Sequence, residues 1–154
     1  MFNKEEEREL RKDFWSEFDS YCRKRGRKAK WMLQDTGIKA VNLKFDVDRD
    51  HAIVGVDIVS RDLERRIYYY EKFESLKTTL IEKLGDGLIW DLEFPLTEKR
   101  DIARIYVMIH DVDIYDRTTW EKIWLFFFDN MDALERVYCE YIDFIRYQAD
   151  YGTN

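Results

Sequence analysis

Hydrophobic positions in this chain switch between two periods. Leu10, Phe14, Phe18 and Tyr21 recur every three or four residues, the spacing of one helix face. Asn3 followed by Glu6 reads as the cap that starts this helix. The helix should run to about Lys24 and stop at Gly26. Trp31, Met32 and Leu33 then suggest a short turn that Gly37 ends. From Val41 the period falls to two. Val41, Leu43, Phe45 and Val47 alternate with Asn42, Lys44 and Asp46, and Ala52, Val54, Val56 and Ile58 repeat the pattern beyond the polar turn Asp48 to His51. This predicts a β-hairpin in which Val47 faces Ala52, Phe45 faces Val54 and Leu43 faces Val56, with every apolar set on one side.

The helical period returns at Ser60, which is expected to cap a second helix. Its stripe is Leu63, Ile67, Tyr70, Phe73, Leu76, Leu80 and Leu84, and Gly85-Asp86-Gly87 stops it. A second hairpin follows. Leu88, Trp90, Leu92 and Phe94 alternate on one strand and Ala103, Ile105, Val107 and Ile109 on the other, with Pro95 and Glu98 to Asp101 in the loop between them. Val112 to Tyr115 either continues the sheet or turns. Thr118 and Glu121 read as a capping box for a last helix along Trp120, Ile123, Phe127, Met131, Leu134, Tyr138, Tyr141 and Ile145. Unbroken to about Gln148 it would be ~45 Å long, so a break near Asp129-Asn130 or a projecting end is expected. The resulting fold class is α+β in helix-hairpin-helix-hairpin-helix order. A four-stranded, mainly antiparallel sheet packs helices on one face, and its other face carries Lys44, Asp46, Asp57, Asp91, Glu93 and Arg104.

Composition adds limits. The chain has 154 residues, enough for one domain spanning 1–154 with a core that needs neither disulfide nor metal. Hydrophobic residues make up 45% and aromatic residues 16%, which argues against disorder. The net charge of −6 argues against a general grip on phosphate backbones. Cys22 and Cys139 lack any short metal-binding spacing, which suggests a reduced, cytoplasmic protein. The charged start, Met1 to Leu10, lacks an apolar stretch, so no signal peptide is expected, and no apolar run is long enough to span a bilayer.

Four groups of residues could carry chemistry. Asp46, Asp57, Asp91 and Glu93 could cluster on the polar sheet face and bind a divalent cation for hydrolysis. Alternation alone, however, puts polar residues there, with Lys44 and Arg104 as cross-strand partners. The acid-x-Lys triplet of a restriction-endonuclease-like centre is missing, because Glu93 is followed by Phe94 and Pro95. His110, Asp111 and Asp113 could ligate a metal or exchange a proton, but adjacent strand residues point to opposite faces. The tract Arg23, Lys24, Arg25, Arg27, Lys28 and Lys30, followed by Trp31, could hold phosphates and stack a base. Those cations could equally complement the negative end of the first helix. Tyr68-Tyr69-Tyr70 and Phe126-Phe127-Phe128 each turn around most of a helix, so some rings should be exposed or should meet another chain. That points to a homo-oligomer or a protein partner, with nucleic acid second and an enzyme third. No nucleotide-cradling, nucleophile-elbow or zinc-binding pattern is present, so no cofactor is implied.

Several of these residues also stand in a familiar arrangement. They are Phe14-Trp15 with Phe18, Lys30-Trp31, Leu43 to Val47, Ile89-Trp90 with Glu93-Phe94, Ile105 to Val107, Trp120, and Phe127 to Met131. Over nearly the whole chain the pattern is similar to a bacterial family catalogued as domain of unknown function 4268. Members of that family occur alone or behind nuclease-like domains. The resemblance therefore implies an accessory role near DNA-processing or defence systems, and it brings no catalytic set.

Overall fold

Asn3 opens the first helix, α1 (Lys4–Lys24), with a reciprocal cap. Its side chain accepts from the Glu6 N–H at 2.8 Å, and its own N–H donates to the Glu6 carboxylate at 3.3 Å. Gly26, at φ +93°, takes the left-handed turn beyond the helix. A computed structural model describes residues 1–146 of the chain. Beyond α1, strands β1 (Val41–Val47) and β2 (His51–Ile58) pair antiparallel in the register that puts Val47 opposite Ala52 and Phe45 opposite Val54. The Asp48 carboxylate accepts from the N–H groups of Asp50 and His51, which closes the turn.

The segment expected to form one helix forms two, α2 (Leu63–Ser75) and α3 (Lys77–Leu84), joined at Leu76. Ser75 donates its hydroxyl to the Glu71 carbonyl at 3.0 Å, the back-bonding that bends helices. The cap is Asp62, not Ser60. The Asp62 carboxylate accepts from the Glu64 N–H, while the Ser60 hydroxyl donates to the Asp62 carbonyl.

The second hairpin is longer than its apolar alternation suggested. Strands β3 (Ile89–Thr97) and β4 (Arg100–His110) enclose only Glu98 and Lys99. Pro95 lies within β3, which is tolerated because β3 is an edge strand in the order β1-β2-β4-β3. All neighbouring pairs are antiparallel. Between Asp91, opposite Arg104, and Phe94, opposite Ile102, β3 carries one residue more than β4. This bulge moves Phe94 to the face opposite the one its alternation with Trp90 and Leu92 predicted.

After β4 the chain turns. Val112 and Ile114 donate their N–H groups to the carbonyls of Asp50 and Asp48, so this stretch braces the first hairpin. The Thr118–Glu121 capping box does not form. The Asp116 carboxylate caps one turn of 3-10 helix, Arg117–Thr119, and Thr119 gives its hydroxyl to the carbonyls of Asp113 and Asp116. The last helix, α4 (Trp120–Ile145), has 26 residues and is about 39 Å long. It neither breaks at Asp129-Asn130 nor projects. Asn130 gives its side-chain N–H to the Phe126 carbonyl, and buried residues run from Trp120 to Ile145. The expected helix end near Gln148 lies outside the described residues.

Among the described residues the result is four antiparallel strands in one sheet and four α-helices. Phe14, Phe18, Tyr69, Phe73, Phe127 and Tyr138 form one buried cluster with Leu43, Val54, Val56, Ile105 and Val107. Both aromatic triplets are absorbed within the chain. Tyr69 and Phe127 are buried, and their neighbours are half-buried. Tyr70 meets Trp90 at 6.0 Å and Phe128 meets Trp31 at 5.7 Å. Trp31, from the connection between α1 and β1, and Trp90, from β3, cover rings which the helices alone would expose.

Candidate functional site

The sheet face away from the helices was expected to be solvated. Its centre is buried instead. Asp57 and Arg104 stand opposite each other on β2 and β4 and are 5% and 2% exposed. The Arg104 guanidinium donates to both Asp57 carboxylate oxygens, at 2.7 and 2.9 Å. It also lies 3.5 Å from the Asp46 carboxylate. To approach Asp46 from β4 it must cross β2 between Asp57 and Ile53, where the residue is Gly55. A Cβ there would meet Tyr106 Cβ and the Ile105 carbonyl, both at 2.6 Å. The displaced Phe94 ring lies over the guanidinium at 4.2 Å, with Tyr106 edge-on at 5.9 Å. A bulge and a glycine thus bury an ion pair without a helix above it. Burial works against the Arg104 charge, but the hydrogen bonds and charge of Asp57, helped by Asp46, outweigh it and hold the group above its ordinary pKa.

Of the acidic residues singled out by sequence, Asp46 and Asp57 share Arg104, and Asp91 faces it from β3. Glu93 sits exposed in the bulge, donating its N–H to the Asp91 carboxylate. Among the described residues no three His, Cys, Asp or Glu side chains form a metal-holding group. One association was hidden in the sequence. His51 and His110 are cross-strand partners with rings 6.3 Å apart, each beside an aspartate of the first turn. Only the β2–β4 pairing, which neither hairpin implies, brings them together.

The basic tract folds back on its own domain. Arg23 pairs with Asp19, and Arg25 lies over the Tyr21 and Phe128 rings, 4.0 Å from Asp129. Arg27 donates to the buried Glu135 carboxylate at 2.7 Å, which also accepts the Met32 N–H at 2.7 Å. The same guanidinium stacks on Trp31 at 3.4 Å, so one face of the ring meant to receive a base is occupied. Lys28 and Lys30 remain exposed.

The open edge of β1 is the remaining feature. The Leu43 N–H donates away from β2, to the Leu33 carbonyl at 2.8 Å, so alternate residues of β1 direct their backbone groups outward. The N–H and C=O of Phe45, the C=O of Leu43 and the N–H of Val47 have no partner among the described residues. A groove of about 610 Å³ opens beside β1, with Trp31, Leu33, Lys44 and Phe45 among its walls, and reaches across the sheet face to Asp57, Ile102 and Leu96.

Residues 10–142 match the family described as a domain of unknown function (DUF4268). The chain belongs to that family. No curated protein and no solved structure matches it, and the family match carries no support for a link to DNA processing or defence. The DUF4268 match takes in the whole sheet, the basic tract and Glu135. No helix among the described residues is long and apolar enough to cross a membrane.

The Arg27 clamp supplies a first prediction. In this DUF4268 domain, Arg27→Ala leaves the buried Glu135 carboxylate with one N–H and uncovers Trp31. Loss of about 2–3 kcal/mol is expected in urea unfolding. Lys28→Ala and Lys30→Ala should each stay within about 0.5 kcal/mol. An Arg27→Ala loss no larger than theirs would show that the clamp is not structural.

Proposed function

We propose that this chain is a non-catalytic interaction domain that pairs with a second copy of itself along the open edge of β1. The observation that carries the reading is the self-complementarity of Leu43-Lys44-Phe45-Asp46-Val47. In an antiparallel pair with Phe45 opposite its own copy, each Lys44 faces the other chain's Asp46. Leu43 and Val47 face each other. The two Phe45 residues exchange N–H···O bonds, and each Val47 N–H reaches the other Leu43 carbonyl. These are the backbone groups without partners among the described residues. The loop at Leu33 halts the pairing at Leu43, which is where the partner's β1 enters its own turn after Val47. An edge that repelled copies of itself would place like charges opposite each other; this one places opposite charges.

The reading treats the chain as one domain in a reducing compartment, supported by the free thiols of buried Cys22 and exposed Cys139. It does not use the aromatic helix surfaces, whose rings pack within the chain, nor the tract Arg23 to Trp31, whose arginines face acids of α1 and α4.

Sedimentation equilibrium of the full chain tests it. A dimer is expected. Lys44→Asp sets a new carboxylate against Asp46 of the other copy, twice in a symmetric pair, and should weaken association about tenfold or more. The exchange Lys44→Asp with Asp46→Lys should restore it, since Asp57 still holds Arg104. A monomer at every accessible concentration, or a dimer indifferent to Lys44→Asp, would overturn the proposal.

A further inference from the structure

A different part of the surface gathers positive charge without neutralising it. The two-residue turn between β3 and β4 packs beside the connection from β2 to α2. Together they form a depression of about 550 Å³. Arg61, Arg66, Lys99 and Arg100 line it with Thr97, and the single acidic residue in its wall is Asp101. Elsewhere many arginines of this acidic chain meet carboxylates, as Arg23, Arg49, Arg104 and Arg117 do. None of these four cations forms an ion pair among the described residues. The nearby Asp62 carboxylate is engaged in capping α2.

Two of the four are held in place by neutral dipoles. Arg100 donates to the Val59 carbonyl at 2.7 Å, and Arg66 donates to the carbonyls of Ser60 and Asp101 at 3.4 and 3.3 Å. Carbonyls fix the orientation of a guanidinium without cancelling its charge. The Arg66 Nε–H is buried and has no hydrogen-bond partner among the described residues, so the hydrogen-bonding needs of this guanidinium are not fully met by the protein. Four like charges in one small depression repel each other, and an anion with more than one charge relieves that repulsion. Planar guanidinium forks match the oxygens of phosphate and carboxylate alike, but a phosphate carries more than one negative charge and can answer several of these cations at once.

We infer that this depression binds a compact phosphate or pyrophosphate group. The four cations line one depression of about 550 Å³, a size that suits a small phosphoester better than the extended contact a polymer backbone makes. The inference is independent of pairing through β1.

Calorimetric titration of the full chain at low ionic strength tests it, with inorganic pyrophosphate, inorganic phosphate and a single-stranded oligonucleotide as probes. Saturable binding of pyrophosphate is expected, tighter than that of phosphate. Arg66→Gln and Arg100→Gln should each weaken it at least tenfold. Because those two side chains also touch backbone, Arg61→Gln and Lys99→Gln, both at exposed positions, serve as variants that keep the fold, and each should weaken binding severalfold. Lys28→Gln, in the basic tract, should change nothing. Absence of pyrophosphate binding, or binding indifferent to Arg61→Gln and Lys99→Gln, would overturn the inference. Binding of the oligonucleotide without pyrophosphate would also overturn it, as a compact group would then not be the ligand.

Discussion

Asp57→Ala should lower the stability of the chain by about 3–5 kcal/mol, because it strands a buried guanidinium. The Arg104 side chain is 3% exposed, and its alternative partner, Asp46, lies 3.5 Å away with nearly half of its own side chain in solvent. Phe94 covers the guanidinium from above, so water cannot replace the lost carboxylate without moving the ring. The charge itself persists, since a guanidinium does not deprotonate in the accessible pH range. Adding Arg104→Met removes the charge and leaves an unbranched apolar chain beneath Phe94. The double variant should recover most of the loss, because replacing both members of a buried pair is often close to neutral. Urea unfolding of the single and double variants measures both quantities. A single-variant loss below about 1 kcal/mol, the range of exposed pairs, would mean that water reaches Arg104.

This ion pair also marks where sequence reasoning stopped. Alternation correctly placed Asp57, Arg104 and Asp91 on the face opposite Val54, Val56 and Ile105. A period of two says which face a residue occupies, however, and nothing about what lies over it. The burial of Asp57 and Arg104 depends on one extra residue in β3, which moves Phe94 across the sheet, and no residue between Asp91 and Phe94 announces it. The first hairpin was legible because its turn, its alternation and its pairing agree on one register. The second hairpin was read too short because Pro95 signals a break, and only its place on an edge strand makes it compatible with pairing. The caps moved for a related reason. Ser60 and Thr118 are suitable capping residues, but Asp62 and Asp116, close by in sequence, took the role, and a sequence cannot rank such neighbours. The cationic depression was invisible because Arg61 and Arg66 lie some 35 residues from Lys99 and Arg100, and only the order β1-β2-β4-β3 brings the two segments together.

Phe127→Ala should cost about 3–5 kcal/mol, while Phe126→Ala and Phe128→Ala should each cost about 1–2 kcal/mol. The difference follows from where α4 turns each ring. Phe127 is fully buried, 4.7 Å from Phe45 on β1 and 5.6 Å from Phe18 on α1, with Trp15 stacked on it at 5.8 Å. Deleting this ring opens a cavity bordered by the sheet and two helices, and three elements cannot all close in on it. Phe126 and Phe128 are half-buried at the rim, so their removal exposes less surface and the neighbours can relax. Phe45 makes the measurement bear on function as well, because its ring packs on Phe127 while its backbone faces the open edge of β1. If copies pair along that edge, the unfolding midpoint of the unaltered chain should rise with protein concentration. Phe127→Ala should weaken that dependence by loosening the strand that presents the edge. Equal losses from all three phenylalanines would mean that the triplet is buried alike on every side. Only contact with another chain along the outer face of α4 could produce that, and association through α4 would then replace pairing through β1.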